Sequence, residues 1–209
     1  LSSNTKNKNI RVIPNPLREI TAGNNGSSAK RKKIILNAGR NVSQKNQLEL
    51  VEIFSHCNYK DWELRILGNG PLHQELIEKT KELNLQQHVQ ILDFSKEVDA
   101  FYSEADIFAF TSLYEGFPNS LIEAMAHGLP CVSYDCPTGP GDIIKNGVNG
   151  VLVNLRDKKQ FQEKLNNLMD SENLRKAFSL EAKKVKEKYS LKIITDKYLN
   201  FILKDEINY

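Results

Sequence analysis

Short apolar runs alternate with stretches of helical periodicity along most of the chain. "KIILNA" (33–38), "ELRIL" (63–67), "VQIL" (89–92), "DIFAF" (106–110), "PCVSY" (130–134) and "GVLV" (150–153) are mostly continuous apolar runs. Strands buried on both faces take that form. Between them, 43–56, 71–84, 97–104, 118–127 and 140–145 read as helices. The alternation predicts a parallel sheet covered by helices. Beyond residue 155 the pattern changes. "DKKQFQEKLNNLMD", "ENLRKAFSLEAKKVKEKY" and "LKIITDKYLNFILK" carry apolar residues at three- and four-residue spacing, predicting three closing helices.

The fold class that follows is α/β, a doubly wound Rossmann-like parallel sheet of six strands with a C-terminal helical tail. Residues 29–209 form one domain in this reading. Residues 1–28, which open on the polar, unpatterned "LSSNTKNKN", are a linker or N-terminal extension. The first residue is Leu1 rather than Met, so the chain reads as a piece of something longer.

Composition narrows the classes. The chain has 209 residues, 40% hydrophobic and 26% charged, enough for a sizeable core. No apolar run approaches the roughly 18 residues of a membrane span, and no signal-peptide pattern is present. Cys57, Cys131 and Cys136 are odd in number and lack zinc-site spacing, which favours reduced intracellular thiols. "NGS" at 25–27 and "NVS" at 41–43 match glycosylation sequons, but short motifs of this kind arise by chance. A net charge of +3 does not call for a nucleic-acid partner. "KRKK" (30–33) and the lysines from Lys183 to Lys197 read as solvated surface charge, with contact to an anionic membrane surface as the alternative.

In such sheets ligands bind outside the carboxyl ends of the strands. "TSLYEGFPNSLIEAMAHGLP" (111–130) lies there, with two carboxylates, Glu115 and Glu123, eight positions apart. Pro118 suits the first position of a helix. The N–H groups of Asn119, Ser120 and Leu121 then lack intrahelical partners and form an anion site at the positive end of the helix dipole. Acids beside an anion site make sense when the ligand carries hydroxyls on both sides of a diphosphate, as a nucleotide-sugar does. The alternative is local: "SLIE" (120–123) fits a capping box, with Glu123 reaching back to Ser120. The first loop adds weight to the ligand reading. "NAGRNVSQKN" places Gly39, Arg40 and Lys45 on the same sheet edge, and Arg40 and Lys45 both suit phosphate oxygens.

"GRNVSQKN", "LRILGNGP", "YSEADIFAFTSLYEGFPNSLIEAMAHGLPCVSYD" and "IIKNGVNGVLV" together resemble the donor-binding half of retaining GT-B glycosyltransferases of family 4. Glu115 and Glu123 match that family's E-x7-E motif. The resemblance runs from about Val12 to Tyr209, and "YDCPTGP" is most similar to bacterial enzymes building capsule, lipopolysaccharide and other envelope glycans. It implies that Arg40 and Lys45 hold the donor diphosphate and stabilise the leaving nucleotide. It implies that backbone around Gly116, Phe117, Pro118, Asn119, Ser120 and Leu121 meets the phosphates and sugar. Glu115 would hold hexose hydroxyls, Glu123 the ribose diol, and Phe94 would border the base. Gly68 and Gly70 would allow close backbone approach, and Gly39 would belong to the substrate-binding residues. The implied donor is a UDP-sugar, and the implied acceptor is a glycan or lipid-linked saccharide reached through an N-terminal half not present in this chain. No metal or other cofactor is implied, and no D-x-D triplet occurs. The implied setting is cytoplasmic, peripheral on the inner face of the membrane, and the isolated half is expected to be inactive. Asp93 stands where many relatives have Gly, and Gly141-Asp142 where many have Pro-Glu, so Asp142 receives no catalytic role.

Two readings compete within the same architecture: a nucleotide-sugar 2-epimerase and a non-catalytic sugar-nucleotide-binding module. The E-x7-E and "GR…QK" blocks favour the transferase over the epimerase. A dinucleotide fingerprint is contradicted by "GNGPLH" (68–73), which has His73 at the third glycine position and follows the second strand. His56, His73, His88 and His127 show no ligand spacing.

Overall fold

The computed structural model describes residues 11–20 and 33–206. The "NGS" sequon, most of "KRKK" and the first ten residues lie outside them. Six strands alternate with helices: β1 Lys33–Ala38, α1 Gln47–Ser55, β2 Trp62–Leu67, α2 His73–Glu82, β3 Val89–Leu92, α3 Val98–Glu104, β4 Ile107–Phe110 and α4 Asn119–Ala126. Then follow β5 Cys131–Asp135, α5 Pro140–Ile143, β6 Gly150–Asn154, α6 Lys158–Asp170, α7 Glu172–Ala182, α8 Val185–Lys188 and α9 Leu191–Glu206. The sheet order is β3-β2-β1-β4-β5-β6, parallel throughout. Strand order therefore reverses between β1 and β4, which opens a crevice beyond their carboxyl ends.

Alternation along the strands divides the core. Ile35, Leu64, Ile66, Ile107, Val132 and Tyr134 face α1, α2 and α6 through Leu50, Phe54, Leu76, Phe161 and Leu165. Ile34, Leu36, Phe108, Phe110 and Cys131 face the other side, against Tyr102, Leu121 and Met125 of α3 and α4. Successive side chains point to opposite faces, so apolar residues at both parities are what a doubly covered sheet requires.

Several boundaries depart from the sequence pattern, three of them with a structural cause. The helix expected over 43–56 opens as a 3-10 turn, Ser43–Lys45, and Asn46 then takes a left-handed conformation (φ 53°) before α1 begins. Asn tolerates that region better than most residues. The helix expected over 172–189 divides into α7 and α8. Phe178 packs into the first core while Ala182, Val185 and Tyr189 pack into the second, so the chain must turn between them. Pro118 stands one position before α4 (φ −83°, ψ 76°), and the helix starts at Asn119.

Residues 11–20 form neither helix nor strand, yet Ile13, Leu17 and Ile20 pack against the second core. The Leu17 N–H donates to the Tyr189 carbonyl at 2.7 Å. Among the described residues, no helix is long and apolar enough to cross a membrane.

Candidate functional site

The loops after β1, β2 and β4 meet in the crevice, and their backbones are laced together. Asn41 N–H donates to Asn69 O at 2.9 Å, and Leu113 N–H to Gln44 O at 2.9 Å. Thr111 hydroxyl donates to Lys45 O at 3.0 Å. A Cβ on Gly68 would stand 2.0 Å from Gly39 O, and one on Gly70 would stand 2.4 Å from Asn41 O. The close approach at Gly68 and Gly70 is thus between two loops of the protein. Asn41 is fully buried, its amide donating to Gly68 O at 2.9 Å, so "NVS" is no glycan acceptor.

A cleft of about 850 Å³ lies over these loops. Gly39, Arg40, Gly68, Phe94, Asn119, Ser120 and Glu123 line it, together with Arg18, Asn69 and Tyr102. Arg40 is exposed there and makes no ion pair among the described residues. Phe94 stands at the mouth, 67% exposed, with its N–H fixed by Asn69 Oδ1 at 2.7 Å.

Lys45 and Glu115 are not among the residues that line this cleft; they pair with each other. Lys45 Nζ is 2.6 Å from Glu115 Oε1, with side-chain exposures of 19% and 6%, and sits 5.5 Å from the Phe110 ring centroid. The β5–α5 loop holds Glu115 from behind: Thr138 hydroxyl donates to Glu115 O, and Glu115 N–H reaches Pro137 O at 3.5 Å. Burial first, then the charge of Glu115, pushes the Cys136 thiol up to about 11, so near neutral pH it is a protonated, poor nucleophile.

At the start of α4 the sequence expectation needs correcting. Asn119 N–H donates to Phe117 O at 3.0 Å and Leu121 N–H to Pro118 O at 3.1 Å. Of the three amides expected to be open, only that of Ser120 lacks a backbone partner among the described residues, where those of Gly116 and Phe117 also make no backbone bond. Leu121 and Phe117 direct their side chains into the core, Phe117 against the Tyr189 ring at 5.8 Å. The capping box is not formed. Ser120 is the second residue of α4, and no side chain caps the helix. Glu123 instead accepts from Arg18 Nε at 3.0 Å through Oε1 and from Tyr102 hydroxyl at 3.1 Å through Oε2.

Burial and the Glu123 charge hold the Tyr102 hydroxyl well above the ordinary tyrosine range, so it stays a neutral donor. Arg18 forks onto Asp99 at 3.0 and 2.5 Å, and this contact raises the guanidinium further above its ordinary value. The sequence pattern did not single out Arg18, Asn69, Asp99 or Tyr102. Arg18 lies in a segment without periodicity, and Asp99 and Tyr102 read as ordinary positions of an amphipathic helix. Among the described residues, no group of three or more His, Cys, Asp or Glu could hold a metal ion.

This arrangement can take a polar anionic ligand, with Arg40, the Ser120 amide and the oriented Glu123 carboxylate in one cleft. Comparison with known proteins gives the chain a family. Residues 22–185 match the family model described as glycosyl transferases group 1. The amylovoran biosynthesis glycosyltransferase AmsD of Erwinia amylovora is 36% identical over 170 residues, which is 81% of this chain and 48% of that protein. The N-acetylgalactosamine-N,N'-diacetylbacillosaminyl-diphospho-undecaprenol 4-alpha-N-acetylgalactosaminyltransferase of Campylobacter jejuni is 33% identical over 72% of this chain and 41% of its own. The chain thus spans about half or less of the curated relatives it matches. Among solved structures, the lipopolysaccharide outer core galactosyltransferase WaaB in apo form superposes with a TM-score of 0.77 at 25% identity, covering 92% of this chain and 54% of WaaB. A variant of S. aureus TarM, in complex with Fondaparinux, alpha-GlcNAc-glycerol and UDP, superposes with a TM-score of 0.84 at 25% identity, covering 96% of this chain and 41% of TarM. The chain belongs to the glycosyl transferases group 1 family, with a GT-B-type domain and relatives in bacterial polysaccharide biosynthesis.

Proposed function

We propose that this chain is the donor-binding half of a retaining family 4 glycosyltransferase. It binds a UDP-sugar whose hexose or N-acetylhexosamine goes to a glycan or lipid-linked acceptor held by a second half. The observation that carries this reading is the convergence of Arg40, the open Ser120 amide and Glu123 on one cleft at the carboxyl edge of the sheet. UDP bound in the TarM complex and the diphospho-undecaprenol in the Campylobacter relative's name support the donor and acceptor classes.

Each group then has a task. Arg40 holds the diphosphate at the mouth of the cleft. The Lys45 ammonium has three donors, so it can keep Glu115 and still reach a phosphate oxygen. There it stabilises the charge that develops on the leaving nucleotide. The amides of Gly116, Phe117 and Ser120 meet phosphate and sugar, Glu115 Oε2 accepts from hexose hydroxyls, Glu123 accepts from the ribose diol, and Phe94 borders the base. No metal takes part. The setting is the cytoplasmic face of the membrane, where lipid-linked acceptors are reached.

Calorimetry with UDP, GDP, ADP and their sugar conjugates, with and without chelator, tests this. UDP and UDP-sugars should bind tightest, and the chelator should change nothing. Failure of every nucleotide to bind would overturn the reading.

A further inference from the structure

Arg18 belongs to the segment 11–20, outside every helix and strand, yet its guanidinium is held on two sides. Nη1 and Nη2 donate to the two oxygens of Asp99 at 3.0 and 2.5 Å, and Nε donates to Glu123 Oε1 at 3.0 Å. Nη1 also donates to the Glu19 carbonyl at 3.1 Å. Asp99 is braced in turn by His127, whose Nε2 lies 3.0 Å from Oδ1. The segment is moored independently of these charges. Leu17 N–H bonds to Tyr189 O, the Asn15 amide donates to Asn119 Oδ1 at 3.3 Å, and Ile13, Leu17 and Ile20 pack on the core. A planar guanidinium fixed on one edge by a bidentate carboxylate aims its Nε in a set direction. Here that direction is Glu123, in the wall of the cleft that Arg18 also lines.

A carboxylate offers about four acceptor positions, two on each oxygen. Arg18 takes one on Oε1 and Tyr102 one on Oε2. One position on each oxygen remains, which is what the two adjacent hydroxyls of a ribose need. We infer that Arg18 is a positioning residue of the donor site: it fixes the Glu123 carboxylate for a vicinal diol and so ties segment 11–20 to the nucleotide pocket. This rests on the donor-site reading above. Without Arg18, Glu123 is held through Tyr102 alone and its side-chain torsions loosen. The loss then falls on ligands that carry the diol and spares those that lack it.

The test uses the 209-residue chain. UDP, GDP and ADP are titrated by calorimetry, and the tightest of them is compared with its 2′,3′-dideoxy form. The wild type should prefer the ribonucleotide. Arg18→Gln should weaken the ribonucleotide by about tenfold and the dideoxy form by less than about twofold, a loss in the range of one charge-assisted contact. Arg18→Lys keeps a charge but cannot span Asp99 and Glu123, and should behave alike. Asp99→Asn keeps Arg18 and removes its anchor, so it should show the same dependence on ligand and guards against a misfolded Arg18 variant. Both ligands are read on one sample, so a general loss of stability cannot mimic the selective effect. Variants that keep the wild-type preference for the diol would overturn this inference alone. A wild type that binds both forms equally would overturn the Glu123–diol assignment and this inference with it.

Discussion

At the scale of single residues, the two acids occupy different surroundings and should separate in function. Glu123 lies in the cleft wall, whereas Glu115 is outside the cleft lining and is paired with Lys45. Glu123→Gln should therefore weaken UDP and UDP-sugar alike, and Glu115→Gln only the conjugate. Each loss should be about 1–3 kcal/mol, a factor of about 5 to 150. Titrating both variants with both ligands checks this, and a Glu115→Gln effect on plain UDP would contradict the assignment. The two cations should separate by stability. Lys45→Ala leaves a buried Glu115 without its partner and should cost about 1–3 kcal/mol of unfolding free energy. Arg40→Ala removes an exposed charge that makes no ion pair among the described residues, and should leave the denaturant midpoint nearly unchanged while weakening diphosphate binding.

His127 gives a pH dependence with a definite sign. Burial, opposed by Asp99 and assisted by the charges of Lys186 and Arg18, lowers its pKa below the ordinary 6.5. As pH falls through 6.5 the unfolded chain takes up a proton before the folded chain does, so stability falls with pH and levels off below the folded value. Thermal melts across this window should show the decline in the wild type and a smaller one in His127→Gln. Parallel curves for the two proteins would mean that His127 is not held neutral.

At the scale of elements, the site depends on loops packed backbone to backbone. Gly68→Ala places a Cβ against the Gly39 carbonyl and must push the first two loops apart. The expected cost is about 1–3 kcal/mol, with weaker nucleotide binding as the cleft floor shifts. Gly116 is the contrast, because a Cβ there meets nothing within 4 Å. Gly116→Ala should leave the melting temperature within about 1 °C of wild type, since surface changes away from packed features cost little. It should weaken the UDP-sugar because its Cβ enters the space assigned to the ligand. Melting curves and titrations of the two variants separate loop packing from ligand contact.

At the scale of the whole molecule, the chain covers about half or less of its curated relatives. Positioning an acceptor against the anomeric carbon supplies much of the rate of a group transfer. The chain by itself should therefore bind donor and transfer no sugar. Incubating it with UDP-sugars and lipid-linked or free glycan acceptors checks this, and any acceptor-dependent transfer would contradict the half-enzyme reading.

The sequence by itself determined the sheet, because burial on both faces forces continuous apolar runs, and their shortness and their alternation with helical periodicity set them apart from buried helices. "KIILNA" and "VQIL" read as β1 and β3 with their observed bounds. It also determined which loops gather at the carboxyl edge, and hence that Arg40 and Glu123 would share a cleft. Boundaries set by competing contacts were not legible locally. The break between α7 and α8 comes from a chain crossing between two cores, and the late start of α4 from the turn at Phe117 and Pro118. Only the tertiary structure decided the partners of the acids. Lys45 meets Glu115 across a separation of 70 residues, and Arg18 meets Glu123 across 105. A capping box and a long-range ion pair use the same Glu in the same local sequence. Which one forms is settled by the segment that packing brings beside it, and no spacing along the chain encodes that.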